Sequence, residues 1–491
     1  MSQRVKIKKL PSGVPGLDEI LGGGIPELSF NLIAGGPGTG KTTLAQQIMF
    51  ATVSPERPAL FVTILGEPPI KMFRYQQQFS FFDAAKIPSC VRFLHLGGEL
   101  LTDGLEKVLA TIVDEVEATN PKLVFIDSFR AVARKAMEAG QMELQSFVQR
   151  LSLHLTGWEA TTFLIGEYEA AEAESNPIFT IADGILWLSQ ETSRNSIVRK
   201  VQVMKMRGQG QVPGLHTMKI SESGLRVYPR LPNPDRPTTR ATDHTQRRKT
   251  GIEGLDEMLG GGIPAGYSVM IVGPSGSGKT TLSTQFIREG IEHGEPGLIA
   301  VFEKRPDEYL TTAPNSGELS QLVDKGMLKM LYLRPLDLSV DETMEEVATA
   351  VRKIGATRVA IDSLSGFELA LAPSFREDFR ESLYRMVGAL VELGVTVVMT
   401  AELVESYTEL RLSPHGISFL TDGIILQRYV ELDGALRKLL CVIKMRGFDH
   451  MKEMRLFDIG PTGIAVGEPL TDYEGILTGA PRRIPAGSQR K

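Results

Sequence analysis

The stretch GVPGLDEILGGGIP at Gly13–Pro26 returns as GIEGLDEMLGGGIP at Gly251–Pro264. Numbers 13 and 251 differ by 238, and the same spacing separates Lys41 from Lys279, each inside a glycine-rich GKT sequence. A period this long is a duplicated domain rather than a solenoid repeat of a few tens of residues. Whatever one half folds into, the other must fold into as well. A chain of 491 residues is also too long for one ordinary core. Between the copies, LPNPDRPTTRATDHTQRRKT at Leu231–Thr250 is rich in Pro, Thr and charge and lacks apolar periodicity, so it reads as an exposed linker. The expected division is a first domain over 1–232, a linker over 233–249, a second domain over 250–470 and a C-terminal loop and tail over 471–491.

Each half alternates short β-type runs with amphipathic helical stretches. In the second half Val269–Val272, Val359–Ile361 and Val395–Met399 read as strands, while Phe379, Leu383, Val387 and Leu390 mark one apolar helix face. Strand and helix in alternation imply an α/β fold with mainly parallel sheets, once in each half.

The glycine-rich sequences GGPGTGKT at Gly35–Thr42 and GPSGSGKT at Gly273–Thr280 both fit G-x-x-x-x-G-K-[ST], and each sits between an expected strand and an expected helix. Glycines let the backbone turn its N–H groups inward onto phosphate oxygens, and the following helix adds the positive end of its dipole. The nucleotide-binding residues expected are therefore Gly36, Gly38, Thr39, Gly40, Lys41, Thr42 and Thr43 in one half. Ser275, Gly276, Ser277, Gly278, Lys279, Thr280 and Thr281 are their counterparts in the other. Lys41 and Lys279 would neutralise the β- and γ-phosphates of ATP, a catalytic role as well as a binding one. Thr42 and Thr280 would ligate Mg2+ through their hydroxyls. KLVFIDS at Lys122–Ser128 and RVAIDS at Arg358–Ser363 end strands in Asp127 and Asp362, which would complete the metal sites.

The chain contains only Cys90 and Cys441, so neither a disulfide framework nor a cysteine metal site is indicated. The N-terminus lacks the apolar stretch of a signal peptide, and the longest apolar runs are strand length. A cytoplasmic protein without a membrane span is expected. A formal net charge of −5 counts against nucleic acid as a partner held by bulk electrostatics.

With the GLDE and LGGGIP segments, two phosphate loops, two I-D-S strands and two later K-M-R-G turns, nearly the whole chain resembles the KaiC branch of the RecA superfamily. The C-terminal DYEGILTGAPR at Asp472–Arg482 strengthens the likeness. The resemblance implies tandem RecA-like P-loop NTPase domains assembled as a homo-oligomeric double ring, usually hexameric, with ATP at subunit interfaces and protein signalling partners. It also implies that Lys205 and Arg207, and Lys444 and Arg446, reach into a neighbouring subunit's ATP, where a cation near the γ-phosphate stabilises transferring charge.

Several positions depart from the family. Its domains carry a Glu-Glu pair after the strand that follows the phosphate-loop helix. The second half has Glu303 followed by Lys304; the first has Leu65 and Gly66, with Glu67 as the nearby carboxylate, displaced in sequence. A one-residue shift turns a strand side chain to the opposite face. Glu303 is therefore the expected catalytic base, Glu67 is a weaker counterpart, and the first half is expected to bind ATP but hydrolyse it poorly. Where clock-type relatives carry adjacent Ser and Thr acceptors before a T-D-x-I-I segment, this chain has Ser418 and Phe419 before Thr421, Asp422, Ile424 and Ile425. One acceptor remains at Ser418, with Thr421 secondary; the alternative is an ordinary loop serine. Only nine residues follow Arg482, so the longer tail that a clock activator docks on is not expected. His450 reads as a structural hydrogen-bonder, Arg247, Arg248 and Lys249 as a solvated hinge, and Phe79, Phe81 and Phe82 as core.

The leading expectation is an ATP-hydrolysing ring protein with serine autokinase capacity, used in signalling or clock-like timing. The rivals are a DNA-acting RecA-like motor, which would need a basic lumen, and a signalling scaffold stabilised by ATP with little turnover.

Overall fold

The computed structural model describes residues 7–64, 69–102, 104–193, 196–230, 243–312, 316–333, 339–371, 379–403, 420–476 and 481–484. It separates into two compact units, Met1–Arg230 and Leu231–Lys491.

In the first unit the apolar runs become strands of a nine-stranded sheet. Val91–His95, Ala59–Thr63, Leu123–Asp127, Thr161–Glu167, Phe30–Gly35 and Gly184–Ser193 lie side by side in that order, all parallel. Ser196–Met206, His216–Ser221 and Gly224–Tyr228 then extend the sheet by antiparallel pairing. The second unit repeats the order with Leu328–Tyr332, Gly297–Val301, Arg358–Asp362, Thr396–Glu402, Ser268–Gly273 and Gly423–Leu432 in parallel. Its antiparallel extension is Ala435–Met445, Met454–Gly460 and Gly463–Pro469.

The parallel strands are apolar on both faces because helices cover both. Along a strand, successive side chains alternate between faces. Ile33, Phe61, Phe125 and Phe163 therefore pack with the phosphate-loop helix residues Leu44, Ala45, Ile48 and Met49, while Leu32, Leu60, Val124 and Leu164 pack under the opposite helices. Phe125 stacks on Phe163 at 4.8 Å between ring centres and on Phe61 at 6.0 Å. Phe81 and Phe82 join the first of these cores, Phe82 lying 5.0 Å from Phe50. The second unit divides its core in the same manner, with Leu282 and Phe286 on one side of the sheet and the buried face Phe379, Leu383, Val387 and Leu390 on the other.

The region read as a solvated hinge differs at its C-terminal end. Arg247–Arg248 pair as a short strand with Ile263–Pro264. The Arg248 guanidinium meets Glu295, whose other oxygen lies 2.7 Å from Nε of the buried Arg358. Two arginines sharing one carboxylate tie these basic residues to the second unit, where a purely local charge count expects solvent.

Candidate functional site

The end of each phosphate-loop strand opens on a left-handed glycine. Gly40 has φ 99° and Gly278 has φ 107°, and each stands immediately before its helix, Lys41–Thr52 and Lys279–Glu292. A residue with a Cβ is strained there. Within the first loop the Lys41 ammonium donates to the Gly36 carbonyl at 2.6 Å and lies 3.9 Å from Glu167 Oε1, while the Thr39 hydroxyl donates to Gly36 O at 2.9 Å. Within the second, Lys279 donates to Gly273 O at 2.9 Å and Pro274 O at 2.7 Å, and the Ser277 hydroxyl donates to Gln427 Oε1 at 3.2 Å. Gly38, Gly40, Lys41, Thr42, Thr43, Asp127, Ser128, Gly166, Glu167 and Ile220 line one open cleft of about 510 Å³. Ser275 and Gly276 occupy the exposed crest of the second loop, and Thr281 follows Thr280 in the first helical turn.

The Asp predicted at each strand end meets the Thr predicted at each helix start. Thr42 Oγ1 donates to Asp127 Oδ2 at 2.7 Å, and Thr280 Oγ1 donates to Asp362 Oδ2 at 2.7 Å. A hydroxyl beside a carboxylate is a hard-oxygen donor set of the kind Mg2+ takes when nucleotide phosphates supply further ligands. Each Asp precedes a cis peptide bond, to Ser128 and to Ser363. The two carboxylates differ in support. Asp362 Oδ1 also accepts from the Thr400 hydroxyl, whereas Ile165 lies opposite Asp127 in the first sheet. Burial pushes the Asp127 carboxyl up to about 6, against the lowering effects of the Thr42 hydrogen bond and the Lys41 charge. Both lysines are pulled below their ordinary value by burial. Glu167 and Asp127 oppose this at Lys41; Glu402, Asp362 and Glu303 oppose it at Lys279.

Glu303 follows the strand Gly297–Val301 by two residues and is exposed. Its Oε1 accepts from the Ser363 hydroxyl at 2.7 Å, and the same hydroxyl accepts from Gly366 N at 3.0 Å. The carboxylate is thus oriented beside the second phosphate loop. In the first unit Thr63 stands opposite Asp127 as Val301 stands opposite Asp362. Counting two residues on from Thr63 gives Leu65 at the sequence position that matches Glu303, and Leu65 lies outside the described residues. Glu67 itself lies outside the described residues, as does Ser418. Thr421 is described: its side chain is buried and its carbonyl accepts from Lys444 at 2.6 Å.

The paired K-M-R-G turns lie away from the phosphate loops of their own sheets. Lys205 pairs opposite Ile185, near the start of the strand Gly184–Ser193, while Gly35 pairs opposite Leu188 farther along it. Three residues of strand span roughly 10 Å, and the loop continues beyond Gly35. Lys205 donates to Thr180 O at 2.9 Å, and Arg207 donates to Asp183 Oδ1 at 3.0 Å. Lys444 holds Thr421 O, and Arg446 stands 3.6 Å from Asp422 Oδ1. Burial lowers both lysines, helped by the neighbouring arginine. The four cations therefore lie toward the strand ends opposite to their own phosphate loops.

A family model for the KaiC ATPase matches residues 10–232 and again residues 248–471. The chain belongs to the KaiC family. Each unit carries one of its ATPase domains. The circadian clock oscillator protein KaiC of Picosynechococcus sp. is 28% identical over 97% of this chain and 93% of its own length. That of Prochlorococcus marinus is 27% identical over 98% and 97%, and KaiC 1 of Synechocystis sp. is 27% identical over 98% and 93%. The RecA-like α/β fold expected for both halves is what the two sheets display. No helix among the described residues is long and apolar enough to cross a membrane.

The sequence reading missed one pair of carboxylates. Glu167 and Glu402 end the strands beside the phosphate-loop strands, opposite Gly35 and Gly273. A signal was present: 167 and 402 differ by 235, as do 127 and 362.

Proposed function

We propose that this KaiC-family chain binds MgATP in both domains and hydrolyses it mainly in the second, as a homo-oligomeric ring whose contacts follow nucleotide state. The observation that carries the asymmetry is Glu303. An oriented carboxylate stands beside Lys279, Ser363 and the Asp362–Thr280 pair, and the first-domain sequence has Leu65 at the matching position. Glu303 takes a proton from the attacking water, Lys279 holds the β- and γ-phosphate oxygens, and Thr280 with Asp362 holds Mg2+. Thr42 and Asp127 do the same in the first domain beside Lys41. Mg2+, when bound, supplies charge neutralisation at the phosphates.

The cations Lys205, Arg207, Lys444 and Arg446 act on the ATP of the neighbouring subunit; their distance from their own loops supports this reading. Ser418 is the acceptor hydroxyl for phosphoryl transfer within the second domain. Its relatives bear the name circadian clock oscillator protein, and we carry over a role in nucleotide-driven timing or signalling in the cytoplasm, with protein partners.

The test is steady-state MgATP hydrolysis by wild type, Lys41→Ala, Lys279→Ala and Glu303→Gln, with radiolabel retained on the protein read from the same samples. Glu303→Gln and Lys279→Ala should remove most turnover, and wild-type label should vanish in Ser418→Ala. Loss of most turnover in Lys41→Ala with little effect of Glu303→Gln would reverse the assignment.

A further inference from the structure

The first domain has Leu65 at the sequence position matching Glu303, and among the described residues its cleft holds another carboxylate. Glu167 ends the strand Thr161–Glu167, whose last residue lies opposite Gly35, the residue on which the phosphate loop begins. Neighbouring strands are about 4.8 Å apart, so this register holds the Glu167 backbone against the loop. Its side chain turns into the cleft that Lys41, Thr42 and Asp127 also line, and Oε1 stands 3.9 Å from Lys41 Nζ. The carboxylate is 58% exposed while the lysine is 8% exposed. One group therefore belongs to the wall of the cleft and the other to its open space.

The other carboxylate lining this cleft is Asp127, buried and already accepting from Thr42. Its place is with the metal. Among the described residues the Glu167 carboxylate is paired with Lys41 alone. With ATP in the loop the Lys41 ammonium would turn to the phosphates, and the Glu167 carboxylate would remain on the open side of the same cleft. A base acts through a hydrogen bond of about 2.6–3.2 Å to the attacking water, or through one intervening water.

From this geometry we infer that Glu167 is the catalytic base of the first domain, giving that domain a slow hydrolysis of its own. The inference rests on the ATPase reading above and completes its weaker half. In the step, a water oxygen forms a bond to the γ-phosphorus as the bond from that phosphorus to the β–γ bridging oxygen breaks. ADP leaves with the bridging oxygen's electron pair. Glu167 takes the water proton and returns it to the released phosphate or to solvent. Glu402 occupies the same register in the second domain, opposite Gly273, and its charge acts on Lys279 without the close ion pair that Glu167 makes with Lys41. There Glu303 already serves, so loss of Glu402 has the smaller consequence.

The experiment uses the full-length chain with the second domain silenced by Lys279→Ala. Hydrolysis of MgATP and equilibrium binding of ATP are measured for that protein and after adding Glu167→Gln, Glu167→Asp or Lys41→Ala. The silenced protein should retain slow turnover that Lys41→Ala removes. Glu167→Gln should lower kcat at least tenfold with KM and ATP affinity changed less than twofold, and Glu167→Asp should restore part of the rate. Four results overturn the inference: no residual turnover in the silenced protein; turnover that survives Glu167→Gln; turnover lost only in step with ATP affinity, which would make Glu167 a support for Lys41; or no recovery with Asp. Absence of turnover in the unsubstituted protein would instead remove the ATPase reading itself.

Discussion

At the scale of single residues, the two domains use the same Asp–Thr pair under different electrostatic conditions. Asp362 accepts from the Thr280 and Thr400 hydroxyls and is hydrogen-bonded by Tyr309, whereas Asp127 accepts from Thr42 and lies opposite Ile165 in the sheet. Burial dominates at Asp127 and raises its carboxyl from 3.8 to about 6. A carboxyl raised in the folded state binds more protons there than in the unfolded chain over that window. Its contribution to stability is thus full below about pH 4 and is lost as pH rises through about 6. Asp127→Asn removes the ionisation while keeping an oxygen to accept from Thr42. The Mg2+- and nucleotide-free variant should match wild type near pH 4 and exceed it by up to about 3 kcal/mol above pH 7. Thermal melts at about pH 5 and about pH 8 check the sign: the advantage of the variant must grow with pH. An advantage that stays constant, or grows toward acid, would mean that burial is not what governs this carboxyl.

At the scale of elements, the strand-to-helix turn is the unit that makes a phosphate site, and Gly40 is its pivot. With φ 99° it lies where a Cβ strains the backbone, and an added Cβ would also sit 2.5 Å from Ile220 Cδ1. The methyl contact is with the flexible end of a side chain and can yield; the backbone cannot. Gly40→Ala should cost the first domain about 1–2 kcal/mol and weaken its ATP binding, while Gly36→Ala, with open space around its Cβ position, should perturb the fold less. Fluorescent-nucleotide titration and thermal melts of both variants test this, and equal losses would contradict it.

The same elements show what could be read in advance. Val269–Val272, Val359–Ile361 and the face of Phe379, Leu383, Val387 and Leu390 were legible because periodicity reports burial directly. The phosphate loops were legible because backbone curl demands glycine at fixed spacing. Glu167 was not, since its relation to Lys41 arises from cross-strand register between residues far apart in sequence. Arg248 departs from its sequence reading for a related reason: its partner Glu295 lies 47 residues on, beyond two helices and two strands. Local charge density carries no record of such pairings. In the sequence Asp422 stands out only within a T-D-x-I-I segment, and Asp183 not at all; in the fold they accept from the first residue of each phosphate-loop strand and pair with Arg207 and Arg446.

At the scale of the whole molecule, each domain places its phosphate loop and its K-M-R-G cations toward opposite ends of the strands of one sheet. A subunit built this way offers two different surfaces to its neighbours, one holding the phosphates and one holding the cations. Head-to-tail contact between unlike surfaces closes into a ring when the rotation per subunit permits. If Arg446 acts across such a contact, a subunit lacking it is defective only toward its neighbour, and a subunit lacking Lys279 is defective only toward itself. Arg446→Ala and Lys279→Ala proteins should each hydrolyse ATP slowly in the second domain. Mixed in equal amounts and allowed to exchange, they should recover activity, because some second-domain sites then combine an intact lysine with an intact neighbouring arginine. Random exchange makes that fraction about a quarter, which sets the expected ceiling relative to wild type. Recovery toward this ceiling requires an arginine from another subunit. A mixture no faster than the average of its components, with exchange confirmed by labelled subunits, would place Arg446 in the service of its own domain and leave the ring contacts without a catalytic part.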